Sequence, residues 1–335
     1  MKPKTIYIAI IIMMVLVLSS CNSRNTVRPG GAGKVSVYTS FYIMYDFAGK
    51  IAGDKAEIIN MVPSGAEPHD WEPTPKDIAG LYHADLFIYN GCGMEGWADK
   101  VIESLNSPDL AVVETSRNIK ARKAAEHEHN HNHDHAGDRY HDHDHGHLEE
   151  NNLHSCGKDG YDPHVWLDPQ NAKIQMEAIK DGLIQVDPTN RKYYEDNFEF
   201  YARKLDDLDR AYKKSVQEFT RREIVVSHEA FGYLCDAYGL VQIAIEGISG
   251  ESEPTPAKMA QIIKFVKEND VKVIFFEELA SPKVAETIAR ETGAVTDKLN
   301  PLEGLSEEDL KAGKDYFSVM EENLEALKRA LGRVD

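Results

Sequence analysis

Short apolar runs alternate with helix-patterned segments along most of this 335-residue chain. Val35-Ser36-Val37-Tyr38-Thr39 predicts a first strand, Tyr42 to Ala52 a helix, and Ala56 to Val62 a second strand. Thr74-Pro75-Lys76-Asp77 predicts a helix start, because Pro suits a first turn whose N–H groups lack partners. Asp85 to Tyr89, Ala111 to Val113, Glu223 to Ser227, Val241 to Ile245 and Val271 to Phe276 read as further strands. Trp97 to Leu105, Phe231 to Tyr238, Pro256 to Asn269, Pro282 to Thr292 and Asp315 to Gly332 read as helices. Strands separated by helices imply βαβ units and a parallel sheet.

One segment breaks the alternation. After Asp187-Pro188, apolar residues recur at Tyr194, Phe198, Tyr201, Leu205, Leu208, Tyr212, Val216 and Phe219. Steps of three and four place them on one face of a helix about 45 Å long. The expected fold is therefore α/β: two lobes of parallel sheet flanked by helices, 34–186 and 222–335, joined by a rigid helix over 187–221. A cleft between two such lobes is a common place for a ligand.

The amino end reads as an address. Lys2 and Lys4 precede an apolar run from Ile6 to Leu18, too short to span a bilayer but suited to a signal-peptide core. Leu18-Ser19-Ser20-Cys21 resembles a bacterial lipobox, which implies cleavage of residues 1–20 and lipidation of Cys21. Residues 21–33 then form a polar, Gly-rich tether. The expected location is extracytoplasmic, lipid-anchored to a bacterial membrane.

Composition narrows the function. A formal charge of −18 argues against nucleic acid as a partner. Four cysteines are too few for a disulfide framework in a chain this long. If Cys21 carries lipid, two of Cys92, Cys156 and Cys235 can pair, in any of three ways. They lack CxxC spacing, and small buried or loop residues are the expectation for them.

Gly91-Cys92-Gly93-Met94-Glu95-Gly96 follows a strand, precedes a helix and has Glu114 about twenty residues on, matching a dinucleotide fingerprint in form. The sequence argues against that reading. Glu95 would set a carboxylate where a pyrophosphate must sit, and the motif follows two earlier βα units. His228-Glu229 suggests a zinc protease, but Gly232 occupies the position of its second His.

Three histidines lie at candidate strand ends or in the loops that follow: His69 in EPHDWEP, His164 in DPHVWLDP and His228 in SHEAFGY. Loops at the carboxyl edge of parallel strands converge, and three imidazoles meeting there would suit Zn²⁺. These segments resemble the signature regions of zinc-specific solute-binding lipoproteins of metal ABC transporters, the ZnuA/AdcA type. GCGMEGWADK, the long helix, GISGESEPTP and LNPLEGLSEEDLKAGKDYF extend the resemblance over nearly the whole chain after the tether. The resemblance implies metal between two lobes, with His69, His164 and His228 as ligands. Members with a PLEGL-like segment add its Glu, here Glu303; in others water or a carboxylate near the first His takes that place, which makes Glu67 the competitor. Manganese relatives carry Glu where His228 stands. Three imidazoles and a carboxylate favour Zn²⁺ over Mn²⁺, though Cu²⁺ competes in any such site. Since imidazole must be neutral to bind metal, affinity is expected to fall as pH drops through about 6.5.

Between the first two of these histidines lies a tract holding His127, His129, His131, His133, His135, His141, His143, His145 and His147, interspersed with Asp, Asn and Glu. It lacks the apolar residues to fold alone and reads as a low-affinity metal loop over about 121–158. The expected protein is a monomer that captures Zn²⁺ and delivers it to an ABC permease driven by its ATPase. A manganese-type protein, a surface adhesin, and an extracytoplasmic zinc or nicotinamide enzyme are the alternatives.

Overall fold

The structure is a computed structural model that describes residues 33–124, 160–248, 254–277 and 281–333. The expected signal peptide, Cys21, nearly all of the tether and the nine histidines of the tract lie outside the described residues.

Two four-stranded parallel sheets organise the chain. The first contains β1 (Val35–Thr39), β2 (Ala56–Asn60), β3 (Leu86–Tyr89) and β4 (Ala111–Glu114), in the order β2-β1-β3-β4. The second repeats that order with β5 (Glu223–Val226), β6 (Val241–Ala244), β7 (Val273–Phe276) and β8 (Val295–Lys298), as β6-β5-β7-β8. Burial marks β3 and β7 among the central strands. All four residues of Leu-Phe-Ile-Tyr in β3 are buried, as are Val273, Ile274 and Phe275 in β7. Strands covered on both faces need continuous apolar sequence, and the central positions of parallel sheets are covered on both faces.

The helices lie close to their expected positions, for local reasons. Thr74 caps Pro75–Tyr82 in a reciprocal capping box with Asp77. Asp315 caps the closing helix Tyr316–Leu331 in the same way with Ser318. The long helix runs Arg191–Ser215 and tightens to 3-10 turns at Pro188–Asn190 and Val216–Glu218. Tyr194, Leu205, Leu208, Tyr212 and Val216 of its stripe are buried, and Phe198 and Tyr201 pack against the core more loosely.

Three elements go beyond the sequence pattern: the helices Pro169–Val186 and Glu307–Lys311, and the edge strand β8. Asp168-Pro169 is the same start signal as Asp187-Pro188, and Asp168 does cap its helix by accepting from the Gln170 N–H. The inner face of Pro169–Val186 hides it from a hydrophobic count, because Gln175 sits in the core. Gln175 is fully buried and donates to Asn90 Oδ1 and Thr115 Oγ1 at 2.8 and 3.0 Å.

One hydrophobic core draws on both sheets, and Lys34–Asp335 forms a single compact unit. Trp166 is the joint. Its ring packs on Phe41 at 5.2 Å, its indole N–H donates to Pro301 O at 2.7 Å, and its carbonyl accepts from the Tyr316 hydroxyl at 2.8 Å. Tyr316 in turn meets Phe47 edge-on at 5.0 Å. Truncating a fully buried Trp costs about 3–5 kcal/mol, so this joint resists separation.

The cysteines depart in part from expectation. Cys92 is disulfide-bonded. Cys235 is a free buried thiol, and burial pushes its ionisation far up, which leaves it unreactive.

Candidate metal centre

His228 follows β5, a central strand, and Glu277 follows β7 beside it. These adjacent strands continue to loops that diverge, the usual position of a ligand site in such sheets. Glu277 Oε1 accepts from the backbone N–H of His228 at 3.2 Å and also meets its ring Nδ1. The ring therefore points Nε2 away, into the space between the sheets.

His164 is fixed by the same device. Asp162 Oδ1 accepts from the His164 backbone N–H at 3.0 Å and lies 2.8 Å from its Nδ1. The ring is fully buried, and Asp162 is buried with it. A carboxylate on Nδ1 selects the tautomer that leaves Nε2 with a free lone pair, the form that binds metal. Neither Asp162 nor Glu277 was singled out by the sequence reading. Each had a local signal, since Asp162 lies two residues before a candidate ligand and Glu277 directly follows an apolar strand.

His69 comes from the irregular stretch after β2. Trp71, two residues on, packs edge-on against Trp97 at 5.5 Å and holds that stretch to the first lobe. Glu303 comes from the loop after β8. Leu302 has φ of +63°, a backbone region costly for a side chain with a Cβ, yet it is fully buried. Hydrogen bonds hold it there: Leu302 N–H donates to Asn300 Oδ1, and the Asn300 backbone exchanges two bonds with the Asn323 amide. Ser64 adds a bond to Leu305 O at 2.8 Å.

The four side chains meet. Glu303 Oε1 lies 2.6 Å from His164 Nε2, 3.1 Å from His228 Nε2 and 3.4 Å from His69 Nε2. The His69 and His164 Nε2 atoms are 3.2 Å apart. One donor atom from each residue fits within a 4.8 Å span. A tetrahedron with metal–nitrogen bonds near 2.05 Å has edges of about 3.3 Å, so the donor set is of the size zinc requires. His69, His164, His228 and Glu303 are thus brought together. Glu67 stands outside that group; its carboxylate accepts from the His69 backbone N–H at 3.3 Å.

Charge is balanced inside the cluster. Burial disfavours a proton on His164, but bonds to Asp162 and Glu303 outweigh it and hold its pKa up at about 9. Burial likewise opposes the charge on His228, and Glu277 and Glu303 overcome it, so this ring too sits well above its ordinary value. Glu303 is driven the other way: burial would raise it, but His228 and bonds from the three rings hold it well below the usual carboxylate range. Glu67 is raised to about 8, by burial first and then by Glu303. For His164 and His228 the value near 6.5 expected from an ordinary imidazole therefore moves upward, because carboxylate partners stabilise the imidazolium form.

The glycine-rich turn holds a residue of its own. Glu95 is buried, and its carboxylate accepts from Ser40 Oγ, Asn90 N–H and Gly91 N–H at 2.6, 2.8 and 2.9 Å. Those amides are what a phosphate would need. A side chain at Gly91 would collide with Glu114. The turn is filled from within, which corrects the nicotinamide alternative. It also serves the metal cluster, since Asn90 Nδ2 donates to Pro163 O at 3.0 Å, beside His164.

Among the described residues no helix is long and apolar enough to cross a membrane. Comparison with known proteins agrees with this architecture. The chain is 40% identical over 318 residues to the high-affinity zinc uptake system protein ZnuA of Bacillus subtilis, covering 94% of each. It is 37% identical to the zinc-binding lipoprotein AdcA of Streptococcus pneumoniae, covering 89% of this chain but 56% of that longer protein. The crystal structure of Zn(II)-bound AdcA from the same organism superposes with a TM-score of 0.73 at 35% identity, over 90% of this chain and 58% of that one. Residues 37–330 match the family described as the periplasmic zinc-uptake complex component A, and this chain belongs to that family.

Proposed function

We propose that this protein is the zinc-capturing component of an ABC importer, lipid-anchored outside the cytoplasm through Cys21. The convergence of three histidine Nε2 atoms on Glu303 Oε1 carries the reading. Zn²⁺ is its cargo, held by His69, His164, His228 and Glu303. Three imidazoles and one carboxylate match the ligand preference of zinc, whereas manganese favours more oxygen. Four protein ligands leave no position for an activated water, so the site stores the ion and catalyses nothing. The names of its relatives, a zinc uptake protein and a zinc-binding lipoprotein, support the same cargo. In this reading the monomer passes zinc to a membrane permease whose ATPase powers entry, with lobes 34–186 and 222–335 supplying the ligands across helix 187–221.

Metal analysis of the purified chain tests it. One equivalent of zinc should survive dialysis against a weak chelator and be displaced only slowly by excess Mn²⁺. Loss of all zinc under weak chelation, or preferential retention of manganese, would overturn the reading.

A further inference from the structure

We infer that Arg122 is a positioning residue for His164, acting through Asp162, and that it ties this ligand of the first lobe to the helix that follows His228 in the second. The inference rests on the proposed zinc site and names a residue beyond its ligands.

Asp162 is fully buried. Its Oδ1 is committed twice to His164, through the ring and the backbone N–H. Its Oδ2 faces Arg122 Nη1 at 3.3 Å. A buried carboxylate needs partners on both oxygens; Arg122 supplies the partner of Oδ2 and so fixes the direction in which Oδ1 meets the Nδ1 of His164. Arg122 therefore governs the tautomer and angle of a ring whose Nε2 must reach the ion.

The same side chain crosses to the second lobe. Arg122 Nε donates to Asp236 Oδ2 at 3.0 Å, and its backbone N–H donates to the Tyr233 hydroxyl at 2.8 Å. Both partners sit on Gly232–Tyr238. Gly232 makes the crossing possible, because a Cβ there would overlap both Arg122 Nη1 and Asp162 Oδ2. That accounts for glycine where the protease-like pattern would need a histidine: the space belongs to the guanidinium. The two contacts of Arg122 are unequal. Asp236 is largely exposed, and an exposed pair contributes little, whereas the Asp162 contact lies against a buried anion.

The test uses the full chain with Arg122→Gln, Asp162→Asn, Asp236→Asn, and the double variant Arg122→Gln/Asp162→Asn. Two quantities are read: the rate of zinc release to a chelator, and the His164 tautomer from ¹⁵N-histidine NMR of the zinc-free protein at about pH 10, where the ring has lost its second proton. Loss of an outer partner of a metal-bound histidine typically weakens the site about 10- to 100-fold. Arg122→Gln should speed release about 10-fold and give His164 a mixed tautomer signature, while Asp236→Asn changes release less than about threefold. The double variant should behave like Asp162→Asn alone, because Arg122 acts through Asp162. Folded Arg122→Gln protein with wild-type release and a single tautomer would overturn the inference, as would additive effects in the double variant. Should Arg122→Gln not fold, Arg122→Met, which keeps the apolar stem without the guanidinium, must reproduce both effects. Failure of the wild-type chain to hold zinc would overturn the zinc reading instead, and the tautomer measurement would still judge Arg122.

Discussion

His228 stands between two glutamates, with Nδ1 against Glu277 and Nε2 3.1 Å from Glu303. One carboxylate orients the ring and the other shares its target. Glu277→Ala should therefore leave the ligand set intact and still weaken zinc binding about 10- to 100-fold, since the ring loses its tautomer and its aim. Chelator-competition titration reads this. Wild-type affinity in a folded variant would show that the Glu277 contact is incidental.

Direct ligands should cost more. His69→Ala, His164→Ala or His228→Ala is expected to weaken binding by several kcal/mol, on the order of a thousandfold, because each removes a bond to the ion. Glu67→Ala should stay within about threefold, since Glu67 lies outside the donor group. The same titrations decide between Glu303 and Glu67 as the fourth ligand. A larger loss from Glu67→Ala than from Glu303→Ala would reverse the assignment.

The zinc-free chain should become less stable as pH rises from 6.5 to 9. His164 holds its proton up to about 9 in the fold but to about 6.5 when unfolded. Its contribution, on the order of 3 kcal/mol, is fully present below the lower value and lost by the upper one. Glu67, raised from 4.5 to about 8, acts in the same direction but from about pH 4.5 to 8, because the fold resists its ionisation. Glu303 is depressed, so its contribution holds above about 4.5 and fades only as acid approaches its lowered value. Thermal melts in chelator should therefore be highest at about pH 5 and fall steadily toward pH 9. Zinc should reverse the alkaline loss, since the ion replaces those protons and binds more tightly as they leave. A melting temperature in chelator that is equal at pH 6 and 9 would contradict the coupling.

Glu95 is expected to matter to folding more than to binding. Glu95→Ala strands two buried N–H groups of the glycine-rich turn, at about 1–3 kcal/mol each. Denaturant unfolding should show that loss. The effect on zinc should be smaller, reaching His164 only through Asn90 and the Pro163 carbonyl. A variant as stable as wild type would mean that water replaces the carboxylate without cost.

Deleting residues 126–152 should lower zinc stoichiometry and leave one tight site. The tract has few apolar residues in its sequence, so each ion it takes must offset the entropy of fixing its own ligands, at roughly 1–2 kcal/mol per residue fixed. The packed lobes present their ligands already placed, which favours tight binding. Calorimetry of the deletion variant decides this. Disappearance of the tight site from folded protein would make the tract the principal binder.

The sequence by itself determined the local structure and the ligand candidates. Continuous apolar runs such as Leu86–Tyr89 specify buried parallel strands, and the step of three and four from Tyr194 to Phe219 specifies the long helix, because both patterns depend only on backbone repeat and burial. His69, His164 and His228 were legible through the segments around them. Glu303 was legible only as one of two candidates, since spacing across 234 residues, from His69 to Glu303, fixes no distance. Tertiary structure decided what depends on contact across the chain. It brought Glu303 into the donor group by holding Leu302 at φ +63° on an asparagine network. It set Asp162 and Glu277 behind two of the rings, raised the proton affinity of His164 by setting Asp162 and Glu303 against it, and joined the two sheets through Trp166. Gln175 and Glu95 show the same limit from the other side: each is polar in sequence and buried in the fold, because partners 85, 60, 55 and five residues away satisfy it. Hydrophobic pattern records which residues leave water, but a buried polar group is stable only where folding supplies its partner, and that pairing is written in three dimensions.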